Sequence, residues 1–161
     1  MLESKRIDFG DLIISLLITL GGSSCVTFFT INELSKQSYI EPWFSPPDIA
    51  FKIVWPILYV LMAISAYRIY QLKKCEENLN GALVFYTLQL LVNFIWPLIF
   101  FKLNLYGISF IVLIILLILA IITMFKFLSL DKISGILFIP YVAWLSFASL
   151  LNFFIWKLNE M

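Results

Sequence analysis

Gln89, Asn93 and Trp96 fall at i, i+4 and i+7 of one apolar stretch, so a helix places them on a single face. Two amides and an indole on one stripe have two uses. They can bridge to neighbouring helices, a contact worth about 0.6 kcal/mol each inside a membrane. They can also line a pocket and hydrogen-bond a ligand's carbonyl or carboxylate. Tyr141, Trp144, Ala148 and Asn152 share a second helical face, with Ala143, Ser146 and Ser149 beside it. Trp55 and Tyr59 repeat at i+4, close to Phe51. Gly21, Gly22, Ser23, Ser24 and Cys25 form a small-residue patch, against which a helix or a flat ligand can approach the backbone closely. Aromatic side chains converging inside a bundle suit a flat aromatic ligand through stacking.

The residue types that are missing exclude much else. There is no histidine, which removes Ser-His-Asp and Cys-His catalysis, histidine-ligated haem, HExxH zinc chemistry and a histidine pH switch. Asp11 and Asp48 are the carboxylates closest to membrane depth, and both read as span-end residues, so an ordinary hydrolase is disfavoured. Cys25 and Cys75 match no CxxC or zinc spacing and read as a packed thiol and a loop thiol. The sequence therefore carries no metal or cofactor expectation. The net charge of +1 gives no electrostatic support to a nucleic-acid partner.

The elements that position these side chains follow from hydropathy. Of 161 residues, 62% are hydrophobic and 13% charged, with a mean hydropathy of +1.00. Roughly 100 apolar residues suffice for about five bilayer spans of about 20 residues each. The chain shows five such stretches, at about 9–31, 48–71, 81–101, 105–128 and 135–157. None alternates with strand period, so each predicts a helix. The expected fold is all-α, a single five-helix transmembrane domain in the bilayer, with a first loop at 32–47. The first stretch is too long for a signal-peptide core and reads as a retained span. Pro56, Pro97 and Pro140 fall inside spans and predict bends. Trp43 and Trp156 lie at span ends, where tryptophan commonly anchors, whereas Trp55, Trp96 and Trp144 lie deeper.

Basic residues set the expected orientation. Lys5, Arg6, Arg68, Lys73, Lys74, Lys126 and Lys132 fall on the side of the N-terminus. Lys36, Lys52, Lys102 and Lys157 fall on the other. The bias places the N-terminus inside and the C-terminus and first loop outside.

Three ordered runs carry a resemblance. Pro42-Trp43-Phe44-Ser45-Pro46-Pro47, continuing to Phe51, Val54-Trp55 and Leu58-Tyr59, resembles the first-loop and second-helix signature of the translocator-protein family. That family is also called the tryptophan-rich sensory or peripheral benzodiazepine receptor family. The run from Gln89 to Phe101 is similar to its third-helix motif, and the run from Pro140 to Asn152 to its fifth. The resemblance covers essentially the whole chain and points to a bacterial-type member in the cell membrane.

What the resemblance implies is a five-helix bundle, often a homodimer, with a ligand pocket beneath the first loop. The implied ligands are tetrapyrroles such as protoporphyrin IX, which gives a receptor or sensor role. Light- and oxygen-dependent porphyrin degradation, or transport of porphyrins and other hydrophobic metabolites, are the alternatives. By position, Trp55 and Trp144 would be the tryptophans of any degradation. Ser24, Tyr59, Asn93, Trp96 and Ala148 would line the pocket with them, and Asn93 or Gln89 would meet polar ring substituents. Two places depart from the family pattern. Ser35 and Lys36 stand where a Trp-Tyr pair is usual, with Glu41 in place of a lysine. Phe153 and Phe154 precede Lys157 where the sterol-recognition pattern needs a tyrosine, so sterol binding is not expected.

Overall fold

The computed structural model describes residues 8–34, 39–73 and 80–161. Expectations resting on Lys5, Arg6, Ser35, Lys36, Lys74 and Cys75 lie outside the described residues. Within them the chain is helical, and five helices are long and apolar enough to cross a membrane.

The first span is built in three pieces: α1 (Phe9–Leu16), a π-helical segment (Leu17–Gly21) and α2 (Gly22–Leu34). Asp8 starts it, its carboxylate accepting from the backbone amides of Gly10 and Asp11. The second span is α3 (Asp48–Lys73), with Pro56 inside it. The third is α4 (Asn80–Pro97), which runs into a second π-helical segment (Leu98–Lys102). Pro97 has no N–H to return to the Asn93 carbonyl, and the ladder widens directly after it. Asn104 turns the chain with φ 53°, a left-handed conformation that asparagine tolerates well. The fourth span is α5 (Tyr106–Leu130) and the fifth α6 (Lys132–Asn159).

The fifth helix begins at Lys132, earlier than the expected 135, because Asp131 caps it by accepting from the Ser134 amide at 3.0 Å. The same carboxylate takes both arms of Arg68, at 2.7 and 3.0 Å, tying the end of α3 to the α5–α6 turn. At the other end Glu160 accepts from the Tyr106 and Gly107 amides and closes the start of α5.

The spans form a ring in the order first, second, fifth, fourth, third. α5 and α6 pair most extensively. Their buried residues recur at alternating steps of three and four: Tyr106, Ser109, Leu113, Leu116, Ala120, Thr123 and Phe127 on one helix. On the other they are Ser134, Phe138, Tyr141, Leu145, Ala148, Asn152 and Ile155. That period of 3.5 is the seam of a left-handed helix pair. Gly135 lets the two backbones meet, since a Cβ there would strike the Leu128 side chain and lie 2.7 Å from its Cα. The opposite faces, Ile108, Ile111, Ile115 and Ile118 on α5 and Ile133, Ile136 and Ile139 on α6, are exposed as a lipid-facing surface requires.

Candidate functional site

Phe51, Trp55 and Tyr59 recur every four residues on α3, so their rings form one ladder facing α6. Trp55 stacks on Tyr59 with centroids 5.6 Å apart. Trp144 of α6 meets Phe51 edge-on at 5.5 Å and Trp55 at 6.5 Å, and Phe147 adjoins it at 5.7 Å. Phe94 of α4 reaches Tyr59 at 6.5 Å. Its ring lies against Gly22, where a Cβ would collide with it. The small-residue patch thus receives a side chain of α4 at Gly22. Ser24 and Cys25 are exposed, and no hydrogen bond or ring contact joins Ser24 to the cluster.

Beneath the rings runs a buried polar chain across three spans. Tyr59 Oη donates to Asn93 Oδ1 at 2.6 Å, Asn93 Nδ2 donates to Tyr141 Oη at 2.8 Å, and Tyr141 Oη donates to Gln89 Oε1 at 2.9 Å. All four side chains are buried, and Tyr141 and Gln89 are completely so. Asn93 therefore makes the interhelical bridge that its position allows. Tyr141 is the node that spacing underweighted: it sits on the face of Trp144 and Ala148, and its hydroxyl joins the two amides of α4.

Trp96 belongs to a second group. Its indole N–H donates to Asn152 Oδ1 at 3.1 Å, and Asn152 Nδ2 donates to the Tyr106 carbonyl at 2.9 Å. Its ring lies on Phe100 at 5.3 Å and Phe101 at 6.0 Å. Among the described residues no ring contact joins it to Trp55 or Trp144. Tyr39 of the first loop closes this group against Phe100 and Tyr106 at 5.5 and 5.6 Å. Burial, and then the nearby Glu41 and Asp48 carboxylates, push the Tyr39 hydroxyl above its ordinary range, so it stays protonated. The loop is held by Asn159, which accepts from the Ile40 amide at 2.8 Å and donates to its carbonyl at 3.0 Å.

Among the described residues two buried donors have no hydrogen-bond partner: Gln89 Nε2 and Trp144 Nε1. An unmet buried donor costs about 1–3 kcal/mol. Each is therefore a place where an acceptor is rewarded. The Trp144 donor lies within the ring cluster, and the small side chain of buried Ala148 follows one turn along α6. Such an arrangement offers ring faces for stacking and one indole N–H without an acceptor. Among the described residues no group of three or more Cys, Asp or Glu is placed to hold a metal ion.

Comparison with known proteins identifies relatives of the chain. A family model described as the TspO/MBR family matches residues 13–157. The chain is 39% identical over 128 residues to Protein CrtK of Rhodobacter capsulatus, covering 80% of this chain and 77% of that protein. It is 36% identical over 119 residues to the tryptophan-rich sensory protein of Cereibacter sphaeroides, covering 74% and 73%. It is 31% identical over 121 residues to the human translocator protein, covering 74% and 72%.

Proposed function

The chain belongs to the TspO/MBR family of multi-pass membrane proteins, and on that premise we propose that it acts as a receptor or sensor by binding a tetrapyrrole such as protoporphyrin IX. The observation that carries this reading is the unpartnered Trp144 indole N–H inside the Phe51–Trp55–Tyr59 ring cluster. A porphyrin carries flat aromatic surface for the rings and carboxylates for the donor. Seating it requires Trp55 and Trp144 to part, exchanging ring-on-ring for ring-on-ligand contact. Gln89 supplies a second free donor at the far end of the polar chain, and Tyr59 and Asn93 hold the cluster's floor.

Titrating the purified protein with protoporphyrin IX in the dark should quench tryptophan fluorescence saturably. Trp55→Phe with Trp144→Phe should weaken the affinity at least tenfold, the loss of about 1.4 kcal/mol expected for one donor and its stacking partner. Unchanged affinity in that variant overturns the site. The adjacency of Trp55 and Trp144 also favours the second reading, light- and oxygen-dependent degradation. An illuminated arm reads it: a bleaching rate unaltered by the protein rejects it. We further propose a homodimer in the cell membrane, from the family resemblance, with its N-terminus inside, from the bias of basic residues. Crosslinking in native membranes and a reporter fused to either terminus test those two points.

A further inference from the structure

α3 is held along only part of its length. Met62, Ala63, Ser65 and Ile69 are completely buried, whereas no residue from Asp48 to Ile57 is buried. Hydrogen bonds to other elements follow the same division. Tyr59 donates to Asn93, Ser65 Oγ to the Ser134 carbonyl at 2.7 Å, and Arg68 to Asp131. The first span adds Ser15, which donates to the Ala63 carbonyl at 2.7 Å, and Asp11, which accepts from Gln71 at 2.9 Å. Among the described residues, no side chain from Asp48 to Ile57 makes a hydrogen bond to another element.

Pro56 marks the boundary. It has no N–H to return to the Lys52 carbonyl, so one rung of the helix ladder is missing there. Prolines are where helices bend by about 20° or more. The eight residues from Asp48 to Trp55 extend about 12 Å beyond it, so a bend of about 20° carries their far end about 4 Å.

What lays this segment against the bundle is apolar contact. Phe51 meets Trp144 edge-on, Trp55 follows one turn further along, and half-buried Val54 lies beside them. The facing wall on α6 is fixed, because Tyr141, Leu145 and Asn152 are buried in the seam with α5. At the far end of the segment the first loop stays on α6, through Phe44 on Phe154 at 5.3 Å and through Ile40 on Asn159. The segment is thus a strap, anchored at both ends and lightly latched between them.

We infer that Asp48–Trp55 is a gate to the ring cluster, hinged at Pro56 and latched by Phe51 on Trp144. A ligand enters when the segment swings off α6, and Phe51 then closes over it. The gate's role rests on the ring cluster being the ligand site, whereas the swing itself belongs to the free protein.

Hydrogen exchange of the full chain in maltoside micelles, read by mass spectrometry without ligand, tests the swing. The amides of Lys52–Trp55 should exchange at least tenfold faster than those of Val60–Ser65. Pro56→Ala restores the missing rung, and should slow the first group at least fivefold while leaving the second unchanged. Stopped-flow quenching by protoporphyrin IX tests the entry. Pro56→Ala should slow association and dissociation alike, at least fivefold, and keep Kd within twofold. Phe51→Ala, which removes the latch, should speed association at least threefold, with circular dichroism confirming the helix content of both variants. Equal exchange on the two sides of Pro56 overturns the inference. So does a Pro56→Ala variant that leaves exchange unchanged, or that slows exchange without slowing association. Absence of quenching in the native chain counts instead against the porphyrin reading, and the exchange measurements still decide the hinge.

Discussion

Replacing Tyr141 by phenylalanine removes a single oxygen from the centre of the bundle. The ring keeps its 5.3 Å edge contact with Phe138, so packing is preserved. Two hydrogen bonds are lost, one from Asn93 Nδ2 and one to Gln89 Oε1. At the membrane average of about 0.6 kcal/mol each, they account for about 1.2 kcal/mol. The variant also strands an amide donor and an amide acceptor at positions only 1% and 0% exposed, where no water replaces the lost partner. Part of that orphan cost, about 1–3 kcal/mol per group before relaxation, adds to the loss. The expected destabilisation is about 1.5–3 kcal/mol. Tyr59→Phe removes only the donor to Asn93 Oδ1 and should cost less, about 1 kcal/mol. Both are read from unfolding in mixed micelles by sodium dodecyl sulfate, followed by circular dichroism. A double-mutant cycle with Gln89→Leu should return a coupling of at least about 0.5 kcal/mol. If Tyr141→Phe costs less than Tyr59→Phe, or the coupling vanishes, the hydroxyl is not the node described above.

Acid should weaken the α3 tie to the α5–α6 turn. The Arg68 guanidinium, then the Ser134 contacts, hold the Asp131 carboxyl at about 2 against an ordinary 3.8. Its folded value is depressed, so the stabilisation is complete above about pH 5 and is lost as pH falls from about 4 towards 2. The full shift corresponds to about 2.5 kcal/mol. Arg68 is 37% exposed, and solvent screening reduces the expected loss to about 1 kcal/mol. Micelle unfolding across that window should show the slope in the native chain and not in Asp131→Asn. Gly135→Ala should cost about 2 kcal/mol or more by forcing the α5 backbone away. Gly21→Ala, which meets nothing within 4 Å, should be neutral or slightly stabilising in the same assay. Asn159→Ala should speed amide exchange at Ile40 at least tenfold while leaving the amides of α5 unchanged.

The spans were legible because a helix in hydrocarbon needs a long uninterrupted apolar run, and little else satisfies that demand. Their ends were less so. Counting charges placed the last helix at 135, whereas the signal that mattered was an aspartate three residues before a serine, a cap rather than a loop. The two π-helical segments have no hydropathy signature; Pro97 hinted at one, and nothing in Leu17–Gly21 at the other. Face-sharing put Gln89 with Asn93, and Tyr141 with Trp144. It could not say which pairs would meet across helices, and it was the family resemblance that put Trp96 in one pocket with Trp55 and Trp144. In the folded chain Asn152 claims the Trp96 indole, and Trp144 is left as the free donor. Such pairings depend on the ring order of the spans, which periodicity within one helix does not encode. Ser24 shows the same limit: small residues mark a close approach without saying where, and of the two glycines in that patch Gly22 receives Phe94 while Gly21 meets nothing within 4 Å.

The unequal sharing of contacts around the ring has a consequence for biogenesis. The span with the barest surface is made before α5 and α6, the pair joined by the longest seam. The earlier spans therefore wait in the bilayer for later partners: Tyr59 of α3 meets Asn93 Oδ1, but Asn93 Nδ2 and Gln89 Oε1 are answered only by Tyr141 of α6. A chain that stops before α6 leaves the central amides without Tyr141, and unpaired polar groups in hydrocarbon are costly. The buried polar chain is thus complete only once α6 has joined the bundle.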